Sequence, residues 1–353
     1  MKKITYLFGA GASFHSLPLL ATMSERMNAF SCFLKTALRK GIITKDFAPQ
    51  FISELDKLLK AEKESTSIDA YAKELSNSNE HRKLLHLKAL LSSYLIFEQL
   101  VKPEDFQIYL DEQDSIPLNF ETLELIKNPL DKRYRTFWGE YTDHSRKLPE
   151  NVRVLSWNYD MQLEFSFSRF SQYSLEMVQQ ELRVFPSEQK QIDINQFCVL
   201  KLNGTAGLLD SYGSSRLTNL FDLNKHHLNT ENIHFLIELL EKNYHRAFNN
   251  PVFAFAWENE GVTNQTRTLA KEIITDTEIL VIVGYSFPSF NWSVDQDIFS
   301  NANKLEKIYY QAPEHEIEQL KNHMDAINPE LKGKTIGISN LRNFYIPPEK
   351  QSR

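Results

Sequence analysis

The feature that most constrains this chain is a series of short apolar runs that alternate with helical stretches. The run at 279–283 contains only Ile, Leu and Val, as expected of a central strand in a parallel sheet covered on both faces. Five further runs predict strands, at Ile4–Phe8, Val152–Ser156, Phe197–Leu202, Pro251–Trp257 and Lys307–Gln311. Strands that alternate with helices form βαβ units. We therefore predict an α/β fold with a Rossmann-like, doubly wound parallel sheet.

The region between the first two predicted strands is mostly helical in pattern. Helical periodicity is seen at Thr22–Gly41, Phe47–Leu59, Ile68–Leu75, Leu84–Val101 and Pro129–Arg146. We predict a Rossmann-like domain at 1–24 and 150–346, with a helical module at 25–149 inserted after the first strand. Residues 347–353 are predicted to be a disordered tail.

Composition excludes several classes of protein. The net charge of the 353 residues is −6, whereas dedicated nucleic-acid binders carry a basic excess, so no direct nucleic-acid partner is expected. Two isolated cysteines cannot build a four-thiolate zinc site, and no metal is predicted. No apolar stretch reaches the roughly 18 residues of a membrane span. We expect a soluble cytoplasmic protein without a membrane partner.

A glycine-rich loop follows the first predicted strand. Its residues are Gly9, Ala10, Gly11, Ala12 and Ser13. Small residues between a strand and a helix allow backbone N–H groups to approach a pyrophosphate, and the helix dipole favours the negative charge. The loop lacks the third glycine of the dinucleotide fingerprint, with Phe14 in its place. A tight turn without a ligand is the alternative interpretation.

Small polar residues also follow three later strands. Asn158 and Asp160 follow one strand, and Asn203, Gly204 and Thr205 follow the next. Ligands bind at the carboxyl ends of strands in open parallel sheets, which predicts one shared site. Ordinary turns and helix caps are the alternative, above all for Asp160.

The third of these later strands is followed by Gly284, Tyr285 and Ser286. Together with Ser67–Tyr71, the motifs occur in the order GAGAS, SIDAY, WNYD, KLNGT and GYSF. This order resembles the sirtuin-like domains of bacterial anti-phage defence, over about residues 1 to 312. The resemblance implies NAD as substrate and its hydrolysis to nicotinamide and ADP-ribose.

The resemblance also implies roles for individual residues. Gly9–Ser13 would hold the pyrophosphate, and Asn158 would position the nicotinamide ribose or the attacking water. Asp160 would lie near the nicotinamide amide, and Gly284, Tyr285 and Ser286 near the adenosine. Gln311 would lie near the adenine ribose. Asn158, Asp160 and Asn203 are the candidate catalytic residues. Gly204 and Thr205, which follow Asn203 in its motif, would help to bind NAD.

The chain departs from the family at Asn203, where the family usually has histidine. Asparagine is not a general base at neutral pH, which leaves two hypotheses. In one, hydrolysis survives because nicotinamide leaves as a neutral molecule through an oxocarbenium-like transition state. In the other, the chain is a weak or inactive subunit that binds NAD or ADP-ribose, and restoring histidine should raise hydrolysis.

An enzyme that destroys NAD needs control. No separate sensor domain is evident in the sequence, so we expect regulation by homo-oligomer assembly or by a separately encoded sensor protein. Protein deacylation is disfavoured because a four-cysteine zinc module is impossible here. A dehydrogenase is disfavoured because no acidic residue for the ribose follows a second strand.

Overall fold

The computed structural model describes residues 1–43, 48–64, 67–101, 130–142, 147–186, 191–206, 230–249, 253–258 and 262–351. The chain divides into two compact units. The sheet unit comprises Met1–Ser13, Asp131–Gly204 and Ala256–Arg353. The helical unit comprises Phe14–Leu130 and Thr205–Phe255.

The sheet unit contains seven strands, all parallel. They are β1 Ile4–Phe8, β2 Val152–Ser156, β3 Val184–Phe185, β4 Cys198–Lys201, β5 Ile279–Val283, β6 Lys307–Gln311 and β7 Thr335–Ile338. Their order is β3-β4-β2-β1-β5-β6-β7. Without the two-residue edge strand β3, this is the 3-2-1-4-5-6 order of dinucleotide-binding folds. The predicted Rossmann-like parallel sheet is confirmed.

The α-helices are numbered in chain order. They are α1 Leu20–Arg39, α2 Ala48–Glu64, α3 Ile68–Asn77, α4 His81–Leu100, α5 Lys132–Tyr141, α6 Gln162–Ser171, α7 Leu175–Glu181, α8 Thr230–Asn249, α9 Val262–Asp276, α10 Trp292–Phe299 and α11 Ile317–Ile327. No described helix is long and apolar enough to span a bilayer.

Helices cover both faces of the sheet, which explains why every residue of strands β1, β2, β4 and β5 is buried. Successive strand residues point to opposite faces. Tyr6 and Phe8 of β1 pack beneath the aromatic side chains of α5, including Phe137. Leu7 and Leu280 lie in the opposite core, with residues of α9, α10 and α11. The central strands therefore have no solvent-facing side.

The helical unit is built around α4. Fifteen of the 20 residues of α4 are buried, and it packs against α8 and α2. Phe30 and Phe97 lie with ring centroids 4.4 Å apart. Arg26 Nε donates to Glu98 Oε1 at 2.7 Å in the fully buried interior. Removing one partner of this ion pair would lower the free energy of unfolding by about 3–5 kcal/mol, because the other charge would remain buried and unpaired.

The structure differs from the predicted boundaries in three places. Residues 14–24 belong to the helical unit and not to the sheet unit. Helix α5 belongs to the sheet unit, since Tyr141 Oη lies 2.8 Å from Tyr6 Oη beneath β1. Helix α8 belongs to the helical unit. The helical unit therefore consists of two segments of the chain. Phe14–Leu130 follows the first strand, and Thr205–Phe255 follows β4.

Three local predictions are corrected. The strand at Pro251–Trp257 is wrong over its described part, where only Phe253 makes a bridge; residues 251–252 lie outside the described residues. Strands β3 and β7 were not predicted. The tail forms a short 3₁₀ helix at Pro348–Gln351, and Lys350 Nζ lies 3.0 Å from Glu140 Oε2. The last two tail residues, 352–353, lie outside the described residues.

Candidate functional site

The carboxyl ends of five adjacent strands lie along one edge of the sheet. Residue pairing places Phe8 beside both Ser156 and Val283. Ser156 in turn pairs with Lys201, and Val283 pairs with Gln311. The segments that follow these strands therefore start side by side. The sequence prediction that they share one edge of a parallel sheet agrees with this arrangement.

The glycine-rich loop lies at the point where the strand order reverses. The chain proceeds from β1 to β2 on one side, whereas β5 pairs with β1 on the other side. Open α/β sheets bind their ligands at this switch point, outside the carboxyl ends of the strands. The loop after β1 and the loop after β5 flank it.

These two loops touch each other through glycine. A Cβ at Gly9 would lie 2.5 Å from the Gly284 carbonyl oxygen, and a Cβ at Gly11 would lie 2.7 Å from the Gly284 Cα. Gly284 itself has a φ of +60°. The Gly9 N–H donates to Val283 O at 3.0 Å, and the Gly11 N–H donates to Gly284 O at 2.9 Å. Glycine is required here for close packing of two loops.

This packing uses the backbone N–H of Gly11. That N–H donates to Gly284 O and is not available to a phosphate, while the pyrophosphate contact of the loop as a whole stays a prediction. The segment Ala10–Ser13 is a four-residue 3₁₀ helix, so the expected dipole of a long helix is missing directly after Gly9. Ala10 is the exposed residue of the loop, while Ala12 and Ser13 are buried.

Arg133, which the motifs did not reveal, holds the glycine-rich loop from below. Its Nη2 donates to Gly11 O at 3.0 Å and to Ala12 O at 3.2 Å. Asp131 neutralises the guanidinium, with Oδ2 at 2.6 Å from Nη2. Its guanidinium carbon also lies 5.0 Å from the centroid of the Phe344 ring. Arg133 thereby fixes two carbonyl groups of the loop.

Ser13 was predicted to donate to a phosphate, but its hydroxyl is engaged within the protein. Its Oγ lies 3.0 Å from Tyr134 Oη, and it also bonds the Asp160 carboxylate. The side chain is 1% exposed. Ser13 therefore ties the glycine-rich loop to the segment that follows β2.

Asn158 and Asp160 have different surroundings. The Asn158 Nδ2 donates to Gly9 O at 2.9 Å, which links the β1 and β2 loops. Asp160 Oδ1 accepts from the Gln162 N–H at 2.9 Å, the helix-start geometry that was the alternative interpretation. Burial raises the pKa of the Asp160 carboxyl, although Lys201 opposes the shift. Asp160 therefore has a structural function at the start of α6.

Lys201 sits beneath these segments, 1% exposed. Its Nζ donates to Asp160 O at 2.5 Å and lies 3.0 Å from Glu164 Oε1. Burial raises the pKa of Glu164, and the nearby Lys201 ammonium lowers it in part. The ion pair joins the end of β4 to α6.

Asn203, the position of the family histidine, contacts a second cation that sequence reasoning missed. Its Oδ1 accepts from Arg267 Nη2 at 2.9 Å, and its Nδ2 lies 3.4 Å from Tyr159 Oη. Arg267 also donates to Leu202 O at 3.3 Å and to Glu258 O at 2.7 Å. Gly204, with a φ of +78°, closes this turn.

The loop after β5 presents one side chain to solvent and buries the others. Ser286 is exposed, whereas the Tyr285 ring stacks on Trp157 with centroids 5.8 Å apart. Tyr285 Oη donates to Asp295 Oδ2 at 2.7 Å and accepts from Asn291 Nδ2 at 2.8 Å. The phenol of Tyr285 therefore anchors the loop, and the position of this loop near an adenosine stays a prediction.

Gln311 uses its side-chain amide within the protein, and its position near the adenine ribose stays a prediction. Its Nε2 donates to Asn340 O at 2.5 Å and to Asn343 O at 2.7 Å. Its Oε1 accepts from the Tyr345 N–H at 3.0 Å. The amide is fully used in holding the segment that follows β7.

Thr205, the last of the predicted binding residues, begins the second segment of the helical unit and is buried. Among the described residues, no three or more His, Cys, Asp or Glu side chains lie together in a group that could hold a metal ion. The charged groups at the strand ends are instead paired with one another.

Comparison with protein-family models, with curated proteins and with solved structures gave no match. The sirtuin-like resemblance therefore stays a prediction that rests on the order of the motifs. What the structure adds to it is that four of the five motif segments, all except Ser67–Tyr71, follow adjacent strands at one edge of the sheet.

Proposed function

We propose that this protein hydrolyses NAD to nicotinamide and ADP-ribose. The observation that carries the proposal is the row of strand-end segments at the switch point of a sheet with the dinucleotide-binding order. A dinucleotide is long enough to contact several adjacent strand ends at once. Ala10, Asn158, Asn203 and Ser286 are the residues through which we expect contact.

The chemistry suits a site whose polar groups are neutral amides. Nicotinamide departs from a cationic pyridinium as a neutral molecule, so its departure needs no proton. The site must then hold the ribose, exclude bulk water and orient one water molecule toward the anomeric carbon. Asn158 and Asn203, 8% and 5% exposed, supply hydrogen bonds in a largely desolvated setting, where such bonds are strengthened.

The biological role that we propose is that of an anti-phage effector. Unregulated loss of NAD would kill the host, so activity would await assembly of copies of the chain or contact with a separately encoded sensor. This part of the proposal rests on the motif resemblance.

The test is to incubate the purified protein with NAD, alone and with the product of the neighbouring gene, and to measure nicotinamide by chromatography. We expect release in at least one mixture, and a fall of about 10²-fold in Asn158→Ala. Asn328→Ala is the matched control, because Asn328 is equally buried but caps a 3₁₀ turn beyond α11. Release in neither mixture would contradict the proposal.

A non-catalytic subunit that binds NAD or ADP-ribose is the second candidate. It is favoured by Asn203, since this position carries no general base and its oxygen is occupied by Arg267. Calorimetry separates the two candidates. Binding of NAD without nicotinamide release, with and without the partner, would support the binding subunit.

A further inference from the structure

Two asparagines follow neighbouring strands at equivalent positions. Asn158 lies two residues beyond Ser156, and Asn203 lies two residues beyond Lys201, with which Ser156 pairs. A carboxamide has a donor end and an acceptor end. Which end faces the site therefore decides what each asparagine can bind.

The acceptor end of Asn158 is the one left for a ligand. Its Nδ2 donates to Gly9 O at 2.9 Å, and a carbonyl oxygen can only accept. The amide orientation follows from this chemistry. Among the described residues, Oδ1 of Asn158 has no hydrogen-bond donor.

Asn203 is anchored the other way round. Arginine has five donors and no acceptor, so the oxygen of the carboxamide must face Arg267 Nη2, at 2.9 Å. Nδ2 is turned toward Tyr159 Oη, at 3.4 Å. One of its two hydrogens is left without an acceptor among the described residues. Arg267 cannot turn away easily, because Leu202 O and Glu258 O hold it.

The geometry points to Arg267 as a positioning residue that makes Asn203 a hydrogen-bond donor, opposite in polarity to the acceptor at Asn158. A donor and an acceptor that follow two neighbouring strands fit a hydroxyl group, which accepts through its oxygen and donates through its hydrogen. The hydroxyl can belong to a ribose or to a water molecule. The identity of the ligand rests on the proposed function, whereas the polarity of the pair does not.

This arrangement changes what a histidine at position 203 would do. A histidine there would accept from Arg267 through one ring nitrogen, so its proton would sit on the other nitrogen, which faces the site. That tautomer is a donor and not a base. Restoring the family histidine alone therefore leaves hydrolysis without a general base, contrary to the expectation from sequence.

The first test is Asn203→Asp, which keeps an oxygen for Arg267 and replaces only Nδ2. We expect the variant to fold as the wild type does, and to lose about 10²-fold in the step that uses the donor. A higher Kd for ADP-ribose by calorimetry identifies a ribose hydroxyl, and a lower kcat at unchanged Kd identifies water. Asn328→Asp controls for the general cost of a buried carboxylate. Wild-type binding and turnover in Asn203→Asp would overturn the proposal.

The second test needs no ligand. In Asn203→His, ¹³C-histidine NMR should show a pKa for the new imidazole about one unit or more below that in Asn203→His with Arg267→Gln, because the guanidinium disfavours a second positive charge. Arg153→Gln is the matched control, since Arg153 is a buried arginine that donates to Ile194 O.

Equal pKa values in the two backgrounds would overturn the assignment of Arg267. If the wild type neither binds nor cleaves NAD, the proposed function fails, and the histidine titration still decides the polarity of position 203.

Discussion

Gly284→Ala should destabilise the sheet unit by about 2–4 kcal/mol. The residue has a φ of +60°, and an L-residue with a Cβ costs about 1 kcal/mol in that region. The new Cβ would also lie 2.4 Å from the Cα and carbonyl carbon of Gly11. Those atoms are backbone and cannot rotate away, so the loop must shift, at about 1–3 kcal/mol for an overpacked site.

Gly333→Ala separates these two terms. Gly333 has a φ of +80°, and no atom lies within 4 Å of a Cβ built on it. Its substitution should therefore cost only the conformational term, about 1 kcal/mol. Both substitutions restrict the unfolded chain alike, so that contribution cancels in the comparison.

The assay is pulse labelling of the Cys198 thiol across a urea series. Cys198 lies in β4 and is fully buried, so its labelling reports opening of the sheet unit itself rather than of the helical unit. If Gly284→Ala shifts the transition no further than Gly333→Ala, the close contact between the two glycine loops is not a structural constraint.

Three further predictions concern other buried groups. Burial raises the pKa of Asp295 well above its ordinary value; the native protein then retains a proton that the unfolded chain releases above about pH 4. The free energy of unfolding of the protein should therefore fall as pH rises. In urea titrations at several pH values, Asp295→Asn should reduce the slope of the unfolding free energy against pH. Equal slopes in the variant and the wild type would contradict this. Gln311→Leu leaves two carbonyls and the Tyr345 N–H without partners, so hydrogen exchange at Tyr345 should accelerate by the equivalent of roughly 2–4 kcal/mol; unchanged protection would refute the clamp. Burial raises the pKa of Cys198 to about 12, so a thiol reagent at pH 8 should modify Cys32, which is partly exposed, long before Cys198; similar rates would contradict the burial of β4.

The sheet could be predicted because its central strands are covered on both faces, and strands covered on both faces are mostly apolar. Strands β3 and β7 escaped prediction for two different reasons. β3 has two residues, and β7 contains Gly337 and is only partly buried. The predicted strand at 251–257 was apolar because Phe253 and Phe255 pack within the helical unit. Burial alone does not separate a strand from a buried loop.

The candidate site could be predicted in part. The motifs located Asn158, Asn203 and Gly284 at strand ends, since small polar residues after apolar runs mark those ends. Arg133 and Arg267 could not be found in this way, because each lies on a helix far along the chain from its partner. The hydrogen bonds of Gln311 could not be predicted, because its partners in the segment after β7 carry no sequence pattern.

The pairing of β1 has a consequence for biosynthesis. Its residue Ile4 has Val152 on one side and Ile279 on the other. Because β1 is synthesised before β2 and β5, it cannot pair with either strand until the ribosome has made that strand. At about 5–20 residues per second, the nascent chain carries this apolar segment without partners for on the order of tens of seconds. Chaperone binding to this segment during translation would shield the middle of the future sheet, and expression at low temperature, where elongation slows, would lengthen the interval for which the segment is exposed.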